Sequence, residues 1–265
     1  MTPTETILLQ PQREGVIRPY AWLDAIVCGD CLNEMPKMPA QSVDAIISDL
    51  PYGRGTACKW DKRLDIESMW KEFRRVLKPN SAIVLTASEP FASMLRMSNL
   101  EQYKYDWVWD KHIPRGMTTA RYRPMQKHEM VLVFGDSPMK YYPIHTNRLK
   151  PVKVRNYGKS ESAPLEHRDD AFRIYNTKGP DSILVGMWEA NAGKMHPTQK
   201  PVSLMAYLVR TYTNPGDVVL DPCCGSGTTC IAAMQEGRHY IGIEKKTNYA
   251  EISKQRIYEA RGLGV

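Results

Sequence analysis

No apolar run in this chain of 265 residues approaches the roughly 18 residues that a membrane-spanning helix needs. The first ten residues, Met1 to Gln10, lack a basic stretch followed by a long apolar one, so no secretory leader is expected. With neither signal, the cytoplasm is the expected location and no membrane partner is expected. Metal-binding spacing is missing too. Cys28 and Cys31 form one C-x-x-C pair, but Cys58, Cys223, Cys224 and Cys230 supply no second pair at zinc-ribbon spacing, so no metal site is expected. The cysteines read as buried or half-buried thiols in a reducing compartment.

The composition, 42% hydrophobic and 25% charged, suits a globular protein with a large core, first expected as one α/β domain with a smaller insertion. The net charge of +7 is unevenly spread. Between Lys111 and Ser160 stand eleven Lys or Arg against only Glu129 and Asp136, which leaves the remainder slightly acidic. A solvated loop could carry such a run. Here Tyr122, Tyr141, Tyr142 and Tyr157 are interleaved with the cations, as in proteins that bind single strands or flipped bases, which favours a polyanionic partner.

Residues 1–24 show no clear period and are read as an arm. Ala25 to Cys28 reads as a strand, and Asp30 after it either meets a ligand or caps the next short helix. The run Val43 to Ile47 leads into Ser48-Asp49-Leu50-Pro51-Tyr52-Gly53, an acid, a proline turn and an aromatic ring at a strand end. That pattern fits an ordinary tight turn. It equally fits a pocket, because ligands of open α/β sheets bind at the carboxyl ends of strands. The loop from Arg54 to Asp65, with Cys58-Lys59-Trp60-Asp61, is either a closing segment or a plain connection. A helix is expected from Ile66 to Leu77, stopped by Lys78-Pro79-Asn80, with further strands at 82–86, 105–109 and 130–134 and a helix from Ser88.

From Gly135 to about Met195 both periods fade, which marks the insertion. Thr198-Gln199-Lys200-Pro201 then opens a helix to about Thr211. Val218 to Asp221 reads as a strand entering the turn Pro222-Cys223-Cys224-Gly225-Ser226-Gly227, after which a helix begins at Thr228-Thr229. The next strand, Tyr240 to Ile243, ends in Glu244. Strand, glycine turn, helix, strand and terminal acid make the half-unit that holds an adenosine. The third glycine of a dinucleotide fingerprint is absent, which argues against a pyrophosphate cofactor and a nicotinamide oxidoreductase.

Taken together these motifs resemble the DNA amino-methyltransferases that use S-adenosylmethionine, in the permuted group whose catalytic motif precedes its cofactor motif. Asp49-Leu50-Pro51-Tyr52 resembles their D-P-P-Y, Asp221 to Thr229 their D-P-F-x-G-S-G-T-T, and His196 to Pro201 their H-P-T-x-K-P. Gly29-Asp30-Cys31 resembles the acidic turn that binds adenine. Two positions depart from the pattern. Leu50 replaces a proline whose carbonyl is what the family uses, and Cys223 replaces a phenylalanine beside the methionine end of the cofactor.

The resemblance implies a Rossmann-like, seven-stranded, mainly parallel methyltransferase sheet with helices on both faces. Residues 25–134 would be the catalytic half, 135–195 a basic target-recognition insertion and 196–265 the cofactor half, with the strand at 218 beside the strand at 43. Implied catalytic residues are Asp49, Leu50, Pro51 and Tyr52. Implied cofactor residues are Asp30, Asp221, Cys223, Gly225, Gly227 and Glu244, with Thr198 and Lys200 near the cofactor's carboxylate. Arg115, Arg121, Arg123, Lys127 and Arg155 are expected on double-stranded DNA, mostly on phosphates. The implied activity is site-specific methylation of adenine N6, since an aspartate opens the motif. Cytosine N4, RNA, a protein glutamine, or a DNA-binding protein with a dead catalytic fold are the alternatives. A homodimer, a cognate restriction endonuclease and a bacterial or phage-infected host complete the expectation.

Overall fold

The computed structural model describes residues 22–52, 64–155, 172–187 and 199–262. Most of the expected N-terminal arm, the 54–65 loop up to residue 63, Tyr157 and the His196-Pro197-Thr198 part of the cofactor helix lead-in lie outside the described residues.

Strands and helices alternate: β1 (Ala25–Cys28), α1 (Cys31–Glu34), β2 (Val43–Asp49), α2 (Ile66–Val76), β3 (Leu77–Ala87), α3 (Phe91–Ser98), β4 (Tyr103–Arg115) and β5 (Gln126–Gly135). Three strands follow, β6 (Thr146–Arg155), β7 (Phe172–Lys178) and β8 (Ile183–Leu184). The chain then returns through α4 (Val202–Tyr212), β9 (Val218–Asp221), α5 (Thr228–Gln235), β10 (His239–Glu244) and α6 (Thr247–Ala260). One sheet runs β1-β10-β9-β2-β3-β5-β4-β8, and β6 pairs with β7 in a separate antiparallel ribbon. Within the sheet the first five strands are mutually parallel and β5 runs against both β3 and β4. The expected seven strands gain an eighth, the two-residue β8 against Val108 and Trp109.

Continuous apolar strands are what a sheet covered on both faces requires. Along β2, Ala45 and Ile47 point into the core beneath α4, α5 and α6, while Val43 and Ile46 point into the core beneath α1, α2 and α3. Helix α2 shows how the sequence specifies this packing. Asp65 caps it by accepting from Ser68 N at 3.3 Å, and Met69, Trp70, Phe73 and Val76 are buried at helical spacing.

Three differences from the sequence expectation have physical causes. Lys78-Pro79-Asn80 ends the helix but forms the irregular first part of β3, with Asn80 at φ +63° and a register shift against β2. Strands β4 and β5 outrun the expected segments because their far ends, near Arg115 and Gln126, are polar and exposed and carry no apolar period. Both faces of β7 are likewise exposed, and this hides strand periodicity in the insertion. Among the described residues no helix is long and apolar enough to cross a membrane.

Candidate active site

Strand β9 adjoins β2, with Val219 opposite Ala45 and Leu220 opposite Ile46. From β9 the chain passes to β10 on one side, and from β2 to β3 on the other, so the two outgoing turns diverge. That reversal of strand order opens a crevice at the carboxyl edge. Asp49 ends β2, Asp221 ends β9 and Glu244 ends β10.

On one side of the crevice Asp49 is held by three donors. Its Oδ1 accepts from the Tyr52 hydroxyl at 3.1 Å and the Thr86 hydroxyl at 2.5 Å, and its Oδ2 from the Lys200 ammonium at 2.6 Å. Lys200 is buried, and its ammonium also stands 3.2 Å from Glu129 Oε2. Lys111 holds the other oxygen of Glu129 at 3.1 Å. A chain of alternating charges thus runs Asp49, Lys200, Glu129, Lys111.

Burial pushes the Lys200 pKa down, but the charge of Asp49, helped by Tyr52 and Glu129, more than reverses this and holds it well above the ordinary value. Burial likewise pushes Glu129 up, and the two lysines more than compensate, so it stays below the usual carboxylate range. The Tyr52 phenol is pushed well up by burial and by the Asp49 charge, so it remains a donor. Its ring lies 5.4 Å from that of Phe91, centroid to centroid and tilted by 30°. Leu50 is buried in the core, and its side chain anchors the turn. Beside Glu129 a groove of about 340 Å³ is lined by Ser88, Glu89, Arg123 to Gln126 and His128 to Met130.

On the other side, Glu244 accepts from the backbone N–H of Gly225 at 3.0 Å and of Lys246 at 2.7 Å. Its pKa is still raised, because burial outweighs those bonds. A carboxylate accepts about four hydrogen bonds, so beside its backbone donors Glu244 keeps room for a ribose hydroxyl. Gly225 and Gly227 take φ of +53° and +78°, a region costly to other residues, and a Cβ on Gly225 would project into open space. Asp221 is buried and pushed up to about 6, against bonds from the Ser48 hydroxyl at 2.6 Å and Cys223 N at 3.2 Å. Asp30 accepts from Leu32 N at 3.0 Å, as a cap, and from Lys245 at 2.7 Å, and that lysine bond chiefly lowers its pKa. Cys223 is packed against the core beside Cys31. Glu244, Asp30 and Asp221 thus set hydrogen-bond acceptors along this side of the crevice, as the hydroxyls and amine of an adenosine require.

Among the DNA-facing expectations, Arg115, Arg121 and Arg123 are exposed around the turn that joins β4 to β5. Lys127 is also exposed and pairs with Asp110 at 3.3 Å. Arg155 ends β6 opposite Phe172, away from the sheet. The sequence reading placed Lys200 towards the cofactor's carboxylate, whereas its ammonium sits on Asp49. Glu129, Lys111 and Thr86 escaped that reading. Only Glu129 left a signal, an acid opening an apolar run, and it counts because β5 is antiparallel and starts at the crevice edge.

A sheet wound in this order, with acid-tipped strands meeting at its reversal, defines the class of S-adenosylmethionine-dependent methyltransferases. The crystal structure of the M1.HpyAVI complex with S-adenosylmethionine is similar, with a TM-score of 0.58 and 25% identity over 88% of this chain and 98% of that one. Within the class the chain belongs to the DNA methylase family of N6 and N4 amino-methyltransferases, whose model matches residues 43–255. The DNA adenine methyltransferase YhdJ of Escherichia coli (strain K12) is 30% identical over 251 residues, covering 88% of this chain and 82% of the relative. The Type II methyltransferase M.HinfI of Haemophilus influenzae is 28% identical over 267 residues, covering 91% and 70%.

Proposed function

We propose that this DNA methyltransferase transfers the methyl group of S-adenosylmethionine to N6 of an adenine turned out of duplex DNA. The observation that carries the reading is Asp49 at the end of β2, one strand away from the Gly225–Gly227 turn and roofed by Tyr52. Bound S-adenosylmethionine supplies an electrophilic methyl on its sulfonium. The protein's task is to make a delocalised aromatic amine able to attack it. Asp49 and the Leu50 carbonyl would each accept one amine hydrogen, drawing the nitrogen towards tetrahedral geometry and freeing its lone pair. As the N–C bond forms and the S–C pair returns to sulfur, positive charge grows on nitrogen. The carboxylate stabilises that charge until the spare proton leaves. One preorganised group of this kind is worth about 3–4 kcal/mol.

Tyr52 would stack on the base, offsetting part of the few kcal/mol that unstacking costs. Glu244 would hold the ribose, the Gly225–Gly227 turn the methionine end, and Asp30 the adenine, with Asp221 fixing the turn. Arg115, Arg121, Arg123, Lys127 and Arg155 would contact DNA phosphates, and residues 135–195 would carry target recognition. Adenine is favoured by the opening aspartate and by the likeness to an adenine methyltransferase. Likeness to a Type II methyltransferase supports a restriction-modification setting with a cognate endonuclease, and a homodimer is the assembly to look for.

The test is to incubate the protein with tritiated S-adenosylmethionine and unmethylated duplex DNA and digest to nucleosides. Label in N6-methyladenosine supports the reading. Label in N4-methylcytosine moves the acceptor, and cofactor binding with no labelled nucleoside overturns DNA methylation.

A further inference from the structure

We propose that Lys200 and Glu129 are positioning residues: the Lys200 ammonium braces Asp49 and passes to Glu129 when the target amine arrives. The proposal rests on the methyl-transfer reading above. Three of the roughly four lone-pair positions of the Asp49 carboxylate are already taken, by Tyr52, Thr86 and Lys200. More important, its charge is neutralised by an ammonium at 2.6 Å. A carboxylate so paired has little field left for a nitrogen that gains positive charge, and the ammonium itself would repel that nitrogen.

Lys200 cannot retreat to water, because its side chain is only 8% exposed. A buried ammonium that leaves one carboxylate needs another within reach. Glu129 Oε2 meets that need at 3.2 Å from Nζ. This oxygen is buried and, among the described residues, accepts no hydrogen bond, while Lys111 secures the other oxygen. A shift of Nζ towards Glu129 would therefore tighten that ion pair, loosen the one with Asp49 and leave more of the Asp49 charge to the amine. The crevice would hold its catalytic charge shielded until a substrate competes for it.

Besides Lys200, the groups that bear on Asp49 are the hydroxyls of Tyr52 and Thr86, Glu129 behind the lysine, and buried Asp221 on β9, whose titration feels the Asp49 charge. Removing Lys200 leaves Asp49 facing Glu129 with nothing between them, and one carboxylate must then hold a proton to higher pH.

The experiment is single-turnover methyl transfer by the full chain at saturating cofactor and DNA, across pH, for Glu129→Gln, Lys200→Met and the double variant. Glu129→Gln is expected to slow transfer by folded molecules about 10–100-fold while cofactor affinity stays near wild type, a loss of the size that partners supporting a catalytic group show. In Lys200→Met the acid limb of the rate profile should rise by about one unit or more. In the double variant that limb should return towards its wild-type position although the rate remains low. Glu129→Gln turning over at the wild-type rate, an unmoved limb in Lys200→Met, or a double variant that tracks Lys200→Met would each overturn the proposal. If Lys200→Met does not fold, Lys200→Arg carries the test: an unmoved limb with slowed transfer supports the hand-over, and a wild-type rate overturns it.

Carboxyl-13C NMR of aspartate-labelled protein reads the same contact without turnover. At neutral pH the Asp49 carboxyl resonance should move in Lys200→Met, and an unmoved resonance overturns the proposal. Wild-type protein that methylates no DNA would instead count against the methyl-transfer reading, which separates the two failures.

Discussion

Two aspartates five positions apart on β2 meet lysines in opposite ways. Asp44, almost wholly buried, accepts from Lys78 at 2.7 Å, Lys140 at 3.2 Å and the backbone N–H of Val218 at 3.0 Å. Its lysines lie 41% and 26% exposed, so their stems pack while their heads reach water. Asp49 is matched with Lys200, which is 8% exposed and, among the described residues, has Glu129 as its other carboxylate. At the amino end of the strand a buried charge is tied off towards solvent and serves as a staple joining β2, β3 and β9. At the carboxyl end the charge and its counter-ion are both kept inside, where each remains available to a newcomer.

The largest effect should come from Asp49→Ala. Methyl transfer should fall by about a thousandfold or more, with cofactor affinity within about tenfold, because one preorganised electrostatic group carries that much. Equilibrium dialysis beside a single-turnover assay measures both, and near-normal turnover would erase the distinction between the two aspartates.

Asp44→Asn should do the reverse, costing about 1–3 kcal/mol in urea unfolding while folded molecules turn over normally. Burial raises the Asp44 carboxyl, but the Lys78 bond, the Val218 amide and Lys140 together hold it below its ordinary value. A lowered native pKa contributes stability that is present above the unfolded value near about 4 and lost as pH falls through the native one. Stability of the variant should therefore depend less on pH in that acid window.

Asp221→Asn sharpens the contrast from a third strand end. Burial raises Asp221 to about 6, so its unfavourable ionisation leaves stability intact below the unfolded value and removes it as pH rises through about 6. At neutral pH the variant should be more stable, by about 1–3 kcal/mol, and at low pH about equal to wild type. Urea midpoints at the two pH values would show it.

Smallest should be the change in Arg121→Ala/Arg123→Ala, exposed cations beyond the crevice. The Michaelis constant for DNA should rise about threefold to tenfold, and the slope of log affinity against log salt should fall by about one to two. An unchanged slope would remove these residues from the phosphate contacts.

Much of the crevice could be read from sequence because its parts are local: a strand, then an acid, then a turn with glycines or proline. The apposition of the strands at 43 and 218 came from the family resemblance that those parts carry. The charge chain could not be read that way. Lys200 and Asp49 are 151 positions apart, and their contact exists only because α4 is laid across the sheet. Glu129 faces the crevice because β5 runs backwards, a direction that no spacing reveals. The polar ends of β4 and β5 lack an apolar face, so nothing in the pattern marks them as strand.

The same long β4 lies next to the sheet's margin, where an unguarded strand is a template for the next molecule to polymerise on. Strand β8 meets it only at Val108 and Trp109. Past that point the strand carries Pro114, a residue with no N–H to donate, and the exposed cation Arg115. The segment that could greet a nucleic acid is thus also the one that discourages stacking into fibres, and neutralising its arginine for gentler DNA binding would invite aggregation.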